Sequence, residues 1–239
     1  MPHHLIDVRE PNEFFSMADF QRMSYAAIDG ILARGRLPMI VGGTGLYVDS
    51  VLDGYLLSDR EPDLAYRAEL EKLTTPQLYD MLLALKPDVQ VEKNNRNRVM
   101  RIIERIHDGD DATPGKQPRY RSLRLGVSWP REVLAQRIDE RLQTRVQQGM
   151  IEEVQGLMDR GATKEFLLGL GLEYRFITRY LMGEMSREDM LCKLAIAIKQ
   201  FAKRQMTWFR RNPDIVWLDM AGDYMAQACE ATEAFLKAE

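Results

Sequence analysis

Three closely spaced glycines follow a short apolar run, and this stretch constrains the fold more than any other. Residues 39–41, Met-Ile-Val, are predicted to form a buried strand, and an apolar pattern of helical spacing begins at Leu46. Gly42, Gly43 and Gly45 remove side chains from the turn between them. In α/β sheets, ligands bind beyond the carboxyl ends of strands, where a helix N-terminus favours negative charge. The stretch predicts a ligand-binding turn, and a plain connection between strand and helix is the alternative.

The composition is that of an ordinary globular protein. Of the 239 residues, 45% are hydrophobic and 29% are charged, and the net charge is −3. No apolar stretch reaches the roughly 18 residues that a membrane span requires, and the N-terminus has neither the basic nor the apolar region of a secretory signal. Two cysteines are too few for a disulfide framework. We therefore expect a cytoplasmic protein without a membrane span.

A helical segment interrupts the α/β pattern. Apolar spacing after Gly54 predicts no strand until residue 123, but it does predict three helices, at about 64–73, 75–85 and 96–106. Two further strands are predicted at 123–129 and 215–218, with helices between and after them. The predicted fold class is therefore α/β. Its predicted domains are a core with C-terminal helices at 1–58 and 114–239 and an all-helical insertion at 59–113, which closes with a hinge loop at 108–118.

Positive charge gathers on two of the predicted helical segments. Arg98, Arg101 and Arg105 share one face of the last insertion helix. Between Leu191 and Pro213 there is no acidic residue, and six basic side chains are interleaved with aromatic ones. Such surfaces suit RNA, because cations bind phosphates while aromatic rings stack on exposed bases. The alternative for the arginine row is a solvated face whose arginines pair with Glu92 and Glu104.

A third arginine set lies on the helix predicted after residue 130. Arg137, Arg141 and Arg145 are spaced by four residues, and Asp139 and Glu140 lie between them. Ion pairs within the helix would explain part of this pattern. An arginine of this set could instead bind a diphosphate through two parallel hydrogen bonds. Both interpretations are open at this point.

Four motifs together resemble the tRNA dimethylallyltransferase family. In chain order they are Pro2-His-His-Leu-Ile-Asp7, Arg36-Leu-Pro-Met-Ile-Val-Gly-Gly-Thr-Gly-Leu-Tyr47, Arg137-Ile-Asp-Glu-Arg-Leu142 and Ala202-Lys-Arg-Gln-Met-Thr-Trp-Phe-Arg210. The resemblance implies a P-loop-kinase-like core and an inserted helical domain that grips the anticodon stem-loop of tRNA. The implied reaction transfers a dimethylallyl group from dimethylallyl diphosphate to N6 of the adenosine 3′ of the anticodon, in tRNAs that read codons beginning with U. It also implies Mg²⁺ bound through the diphosphate, and we expect a monomer.

The resemblance also implies roles for individual residues. Thr44 lies beside the target adenosine and Arg141 binds the diphosphate, and these two are the implied catalytic residues. No side chain is assigned to a metal. The residues implied to contact tRNA are Gly43, Thr44, Arg67, Asn97, Arg98, Arg101, Lys199, Gln200, Lys203, Arg204 and Gln205.

The chain departs from the family pattern in two places. Leu170 stands where many members have a polar residue, which puts one tRNA contact in question. The chain also begins at the Pro-His-His motif, which in the family follows the phosphate loop and an aspartate that acts as general base. We therefore expect a truncated chain that lacks the first βα unit and is inactive alone. A non-catalytic tRNA-binding remnant is the alternative, and a small-molecule kinase is disfavoured because it leaves the arginine-bearing helices without a role.

Overall fold

The computed structural model describes residues 2–57, 63–110 and 115–238. Within these ranges the chain is mostly helical, with one small sheet. The elements in chain order are α1 (Met17–Ala33), α2 (Gly45–Leu52), α3 (Leu64–Glu71), α4 (Thr75–Leu85), α5 (Arg96–His107), β1 (Arg124–Ser128), α6 (Arg131–Gln147), α7 (Met150–Asp159), α8 (Lys164–Gly169), α9 (Leu172–Leu181), α10 (Arg187–Phe209), β2 (Ile215–Asp219) and α11 (Tyr224–Lys237). No helix of the described ranges is both long and apolar enough to cross a bilayer.

Local capping explains where several helices begin. At α1 the Ser16 hydroxyl accepts from the Asp19 N–H at 3.0 Å, and the Asp19 carboxylate accepts from the Ser16 N–H at 3.0 Å. This reciprocal pair satisfies two of the donors that a helix start leaves unpaired. Ser186 caps α10 through the Asp189 N–H at 3.1 Å. Both helices begin directly after these capping residues.

The predicted strands at 123–129 and 215–218 are confirmed as β1 and β2. They pair in parallel, with Arg124 opposite Ile215 and Ser128 opposite Asp219. Trp217 packs beside Gly126, where a Cβ atom would lie 2.7 Å from its ring. The sheet and its connecting helices make the described part of the chain a mixed α/β structure.

The strand predicted at residues 39–41 is wrong. The segment carries no strand pairing, and the side chains of Met39 and Val41 are 68% and 88% exposed. A strand requires a neighbour for its backbone N–H and C=O groups. Among the described residues β1 and β2 pair with each other, and neither pairs with this segment. Residues 39–41 therefore have no described strand with which to form a sheet.

The buried side chains form two separate clusters. One joins α3, α4 and α5 and consists of Leu70, Leu78, Leu82, Val99, Met100 and Ile103. The other joins α6 to α10 and consists of Leu142, Met150, Val154, Ala162, Leu167, Ile177, Met190 and Leu194. A helical insertion needs an apolar core of its own, and the first cluster is suited to that role. The predicted domain boundaries at 58/59 and 113/114, and part of the predicted hinge loop, fall outside the described residues.

Candidate functional site

The glycine turn, residues 42–45, leads directly into α2. Thr44 is the N-cap, and its carbonyl accepts hydrogen bonds from the N–H groups of Tyr47 at 2.9 Å and Val48 at 3.1 Å. The Thr44 side chain is exposed and makes no capping hydrogen bond. Its hydroxyl is therefore available to a ligand at the start of the helix.

Helix α10 packs closely on this turn. The Gln205 side-chain amide donates to the Gly43 carbonyl at 2.9 Å. A Cβ atom at position 43 would lie less than 3.0 Å from the Gln205 amide nitrogen, and one at Gly45 would lie less than 3.0 Å from three atoms of the Trp208 indole. Because these glycines carry no side chains, helix α10 can approach the turn closely, and a ligand could do the same.

A chain of polar contacts joins α2 to α10 and to the sheet. The Trp208 indole N–H donates to the Asp49 carboxylate at 2.7 Å, and the other oxygen of Asp49 accepts from Arg124 at 3.3 Å. Arg124 also donates to Asp53, which accepts from Lys116 at 2.7 Å. Sequence reasoning missed this network, although a charged residue inside a predicted strand, Arg124, was a visible signal. The network holds the glycine turn in place.

The pKa of the Asp53 carboxyl predicts a pH-dependent contribution to stability. Burial alone would raise this pKa, but hydrogen bonds from Lys116 and Arg124 outweigh burial and hold it below the ordinary 3.8. A carboxyl with a lowered pKa stabilises the fold above its unfolded-state pKa, and that contribution is lost as the pH falls through the folded-state value. We therefore expect the advantage of the wild type over Asp53→Asn in free energy of unfolding to shrink below pH 3.8. Urea unfolding at a series of pH values measures it, and a constant difference between the two proteins would contradict the prediction.

The outer side of α10 carries a cationic groove of about 480 Å³. Arg204 lies over the Phe201 ring at 5.6 Å, and Arg211 lies over the Trp208 ring at 5.3 Å. The residues that line the groove are Gln200, Lys203, Arg204, Thr207, Trp208 and Arg211. The lining contains no carboxylate, so an anionic ligand would meet no charge repulsion there. The structure thus brings three predicted tRNA-contacting residues of α10 together in one groove.

The remaining two predicted residues on α10 contact the protein. Lys199 donates to the Asp139 carboxylate of α6 at 2.7 Å, and Gln205 bonds to Gly43 as described above. Lys199 and Gln205 are six residues apart, which is roughly 9 Å along a helix. Helix α6 and the glycine turn therefore contact neighbouring stretches of α10.

The three arginines of α6 have different surroundings. Arg137 lies over the Trp129 ring at 4.7 Å, and Arg145 donates to Glu173 of α9 at 2.8 Å. Arg141 is exposed and forms no ion pair with any described residue. The ion pairs within the helix that the spacing allowed are absent from the described structure. Among the described contacts Arg141 has neither an ion pair nor a ring partner, which leaves its guanidinium available to a diphosphate.

The predicted residues of the helical segment lie on α3 and α5. Asn97 and Arg98 are exposed, while Arg67 and Arg101 both donate to the carboxylate of Glu104, at 3.1 and 3.4 Å. Arg67 and Arg101 therefore lie close together, and Asn97 and Arg98 lie on the same helix as Arg101.

The predicted arginine row of α5 is shorter than expected. Arg105 forms two hydrogen bonds with Asp110, at 2.8 and 3.0 Å, and its side chain is 19% exposed. A bidentate pair of this kind neutralises the arginine within the protein. The exposed row therefore consists of Arg98 and Arg101.

The described residues contain no group of three His, Cys, Asp or Glu side chains that could hold a metal ion. The carboxylates of Asp49 and Asp53 accept hydrogen bonds from Trp208, Arg124 and Lys116.

Comparison with known proteins decides the family. The sequence model described as "IPP transferase" matches residues 1–212. The chain belongs to the IPP transferase family. A curated member, tRNA dimethylallyltransferase 2 of Shewanella sediminis, is 44% identical over 239 residues, which cover 96% of this chain and 79% of the relative. Another tRNA dimethylallyltransferase 2, from Syntrophotalea carbinolica, is 46% identical and covers 93% of this chain and 78% of the relative.

Solved IPP transferase structures share the fold. The full-length tRNA isopentenylpyrophosphate transferase of Bacillus halodurans superimposes with a TM-score of 0.68 at 35% identity, over 98% of this chain and 76% of that protein. A eukaryotic dimethylallyltransferase acting on tRNA gives a TM-score of 0.76 at 23% identity, which supports the fold alone. The resemblance noted in the sequence is thus confirmed at the level of the family.

Proposed function

We propose that this protein modifies tRNA by transferring a dimethylallyl group from dimethylallyl diphosphate to N6 of the adenosine 3′ of the anticodon, in tRNAs reading codons that begin with U. Helix α10 carries the proposal, because it holds the glycine turn through Gln205 and presents a cationic groove on its outer side. An RNA in that groove would lie beside the turn that carries Thr44. Family membership supplies the reaction type. In this proposal the core is P-loop-kinase-like and the protein acts as a monomer.

Arg141 is proposed to act on the leaving group. The reaction breaks the bond between the allylic carbon and the diphosphate oxygen, forms a bond from N6 to that carbon, and releases one proton from N6 to solvent. Negative charge grows on the departing oxygen, so a guanidinium beside it stabilises the transition state. Arg141 is exposed and carries a planar fork that matches phosphate geometry.

Thr44 and the cationic groove are proposed to hold the RNA. The target adenosine must leave its stack to reach the diphosphate, which costs a few kcal/mol. Phosphate contacts from Lys203 and Arg204, with stacking on nearby aromatic rings, offset that cost. The exposed hydroxyl of Thr44 is placed to donate to or accept from the extruded base.

Mg²⁺ is proposed to be bound through the diphosphate, as the resemblance to the family implies. When bound, it would neutralise part of the diphosphate charge.

The proposal is tested with the purified 239-residue chain, unmodified tRNA and labelled dimethylallyl diphosphate. Label entering the tRNA supports the transferase and contradicts the expectation that the chain is inactive alone. Salt-dependent tRNA binding without label fits both a transferase chain that is inactive alone and a non-catalytic tRNA-binding protein, since phosphate contacts weaken as salt rises in either case. Absence of tRNA binding at low salt contradicts both functions.

Arg98→Ala is expected to weaken tRNA binding several-fold. Arg98 is an exposed cation on α5, and losing one phosphate contact lowers the slope of log K against log salt by about one. Filter binding or fluorescence anisotropy at four salt concentrations measures both quantities. Lys237→Ala is the control, because it removes the same charge from a surface pair on α11. Equal salt slopes for the two variants would contradict a role for Arg98.

A further inference from the structure

Glu104 is a charged residue inside the α3–α5 cluster. It lies on α5 with 4% of its surface exposed, next to the buried Ile103. A buried carboxylate is costly unless it is paired and hydrogen-bonded. Its two oxygens are both used, since Oε1 accepts from Arg67 at 3.1 Å and Oε2 accepts from Arg101 at 3.4 Å. Glu104 thus joins cations from two different helices.

The two arginines remain open to solvent while their shared carboxylate does not. The side chains of Arg67 and Arg101 are 42% and 47% exposed, against 5% for Glu104. Each guanidinium carries five N–H donors, and the contact with Glu104 uses one nitrogen of each. Glu71 also contacts Arg67, at 3.4 Å, but from a side chain that is 59% exposed. Glu104 is therefore the buried carboxylate that holds Arg67 and Arg101.

We propose that Glu104 is a positioning residue that holds Arg67 and Arg101 side by side to bind RNA phosphates. This inference rests on the proposed function, because it takes RNA as the ligand of the helical segment. Two adjacent guanidinium groups repel each other, and a carboxylate beneath both of them removes that repulsion. Ordering long side chains before binding lowers the entropy lost on binding. Glu104 contributes to RNA affinity through the arginines and without touching RNA.

Glu104→Gln tests the proposal by the sign of its effect on tRNA affinity. Charge alone would make the variant bind tRNA more tightly, because a negative charge is removed. Positioning predicts weaker binding, by about threefold to tenfold, since one or two side chains lose their preorganisation. Glu71→Gln is the matched control, because it removes an exposed carboxylate from the same arginine. We expect the control to bind unchanged or slightly more tightly.

A second comparison shows whether Glu104 acts through the arginines. In a background with Arg67→Ala and Arg101→Ala, adding Glu104→Gln is expected to cause no further loss of tRNA affinity. If Glu104→Gln does not fold, Arg67→Lys replaces it, because lysine keeps the charge at a partly exposed site but loses the planar fork. That variant is expected to bind tRNA at least threefold more weakly.

The outcomes separate the inference from the function on which it rests. If the wild type binds tRNA and Glu104→Gln binds it equally well or more tightly, the inference alone is overturned. The inference is also overturned if Glu104→Gln lowers tRNA affinity in the double-alanine background as much as it does in the wild type. It is overturned as well if Arg67→Lys binds tRNA as tightly as the wild type does. If the wild type binds no tRNA, both the proposed function and the inference are overturned.

Discussion

Arg124→Ala is expected to lower the free energy of unfolding by about 3 kcal/mol or more. Arg124 lies on β1 between Asp49 and Asp53, and all three side chains are 16–18% exposed. Removing the guanidinium leaves two partly buried carboxylates near each other with less positive charge to balance them. The cost therefore exceeds the value of the lost hydrogen bonds. Urea unfolding at neutral pH measures the change.

Lys72→Ala is the matched control for Arg124→Ala. Lys72 pairs with Glu69 at 2.6 Å, but both side chains are about two-thirds exposed. Exposed ion pairs contribute about 1 kcal/mol or less, because water and salt screen them. If Arg124→Ala costs no more than Lys72→Ala, the network between α2 and the sheet does not stabilise the fold. Partial recovery on adding Asp53→Asn to Arg124→Ala would support the charge explanation.

Gly45→Ala is expected to cost about 2–4 kcal/mol of folding free energy. Its new methyl group would lie within 3.0 Å of three atoms of the Trp208 indole, and overpacking of this kind costs about 1–3 kcal/mol. Displacing the indole also lengthens its 2.7 Å hydrogen bond to Asp49, which is worth about 1 kcal/mol. Thermal or urea unfolding measures the loss.

Gly42→Ala provides the comparison for Gly45→Ala in the same turn. A Cβ atom at Gly42 would have no heavy atom within 4 Å, and neither glycine has a positive φ angle. The change at Gly42 is therefore expected to be neutral or slightly stabilising, because alanine restricts the unfolded chain. Equal losses at both positions would mean that the turn geometry matters and the contact with α10 does not.

Helix positions were predictable because their signals are local. The capping pair of Ser16 and Asp19 lies within four residues, and the apolar period of Arg96–His107 is visible in the sequence alone. Helix α8 has only six residues, which are too few to show an apolar period. The helix predicted after residue 130 is confirmed as α6, with Pro130 as its N-cap.

The strand prediction failed because it depends on distant partners. Residues 39–41 have the composition of a strand, but a strand forms only where another offers hydrogen bonds, and this information is not local. The same limit applies to the site. The turn and the basic helix could each be recognised, whereas the bond between Gln205 and Gly43 spans 162 residues. The pairing of Arg105 with Asp110 was nearer in sequence and was still missed, because a loop residue has no fixed periodicity.

The contacts of Gln205 and Trp208 with the glycine turn would couple the two parts of the proposed RNA site. An RNA backbone that ordered the end of α10 would also order the turn, because the two share hydrogen bonds and packing. Thermodynamic linkage then requires reciprocity: the factor by which a bound backbone raises affinity for the extruded base at the turn equals the factor by which a bound base raises affinity for the backbone. The order in which the two parts of the RNA bind would leave this factor unchanged.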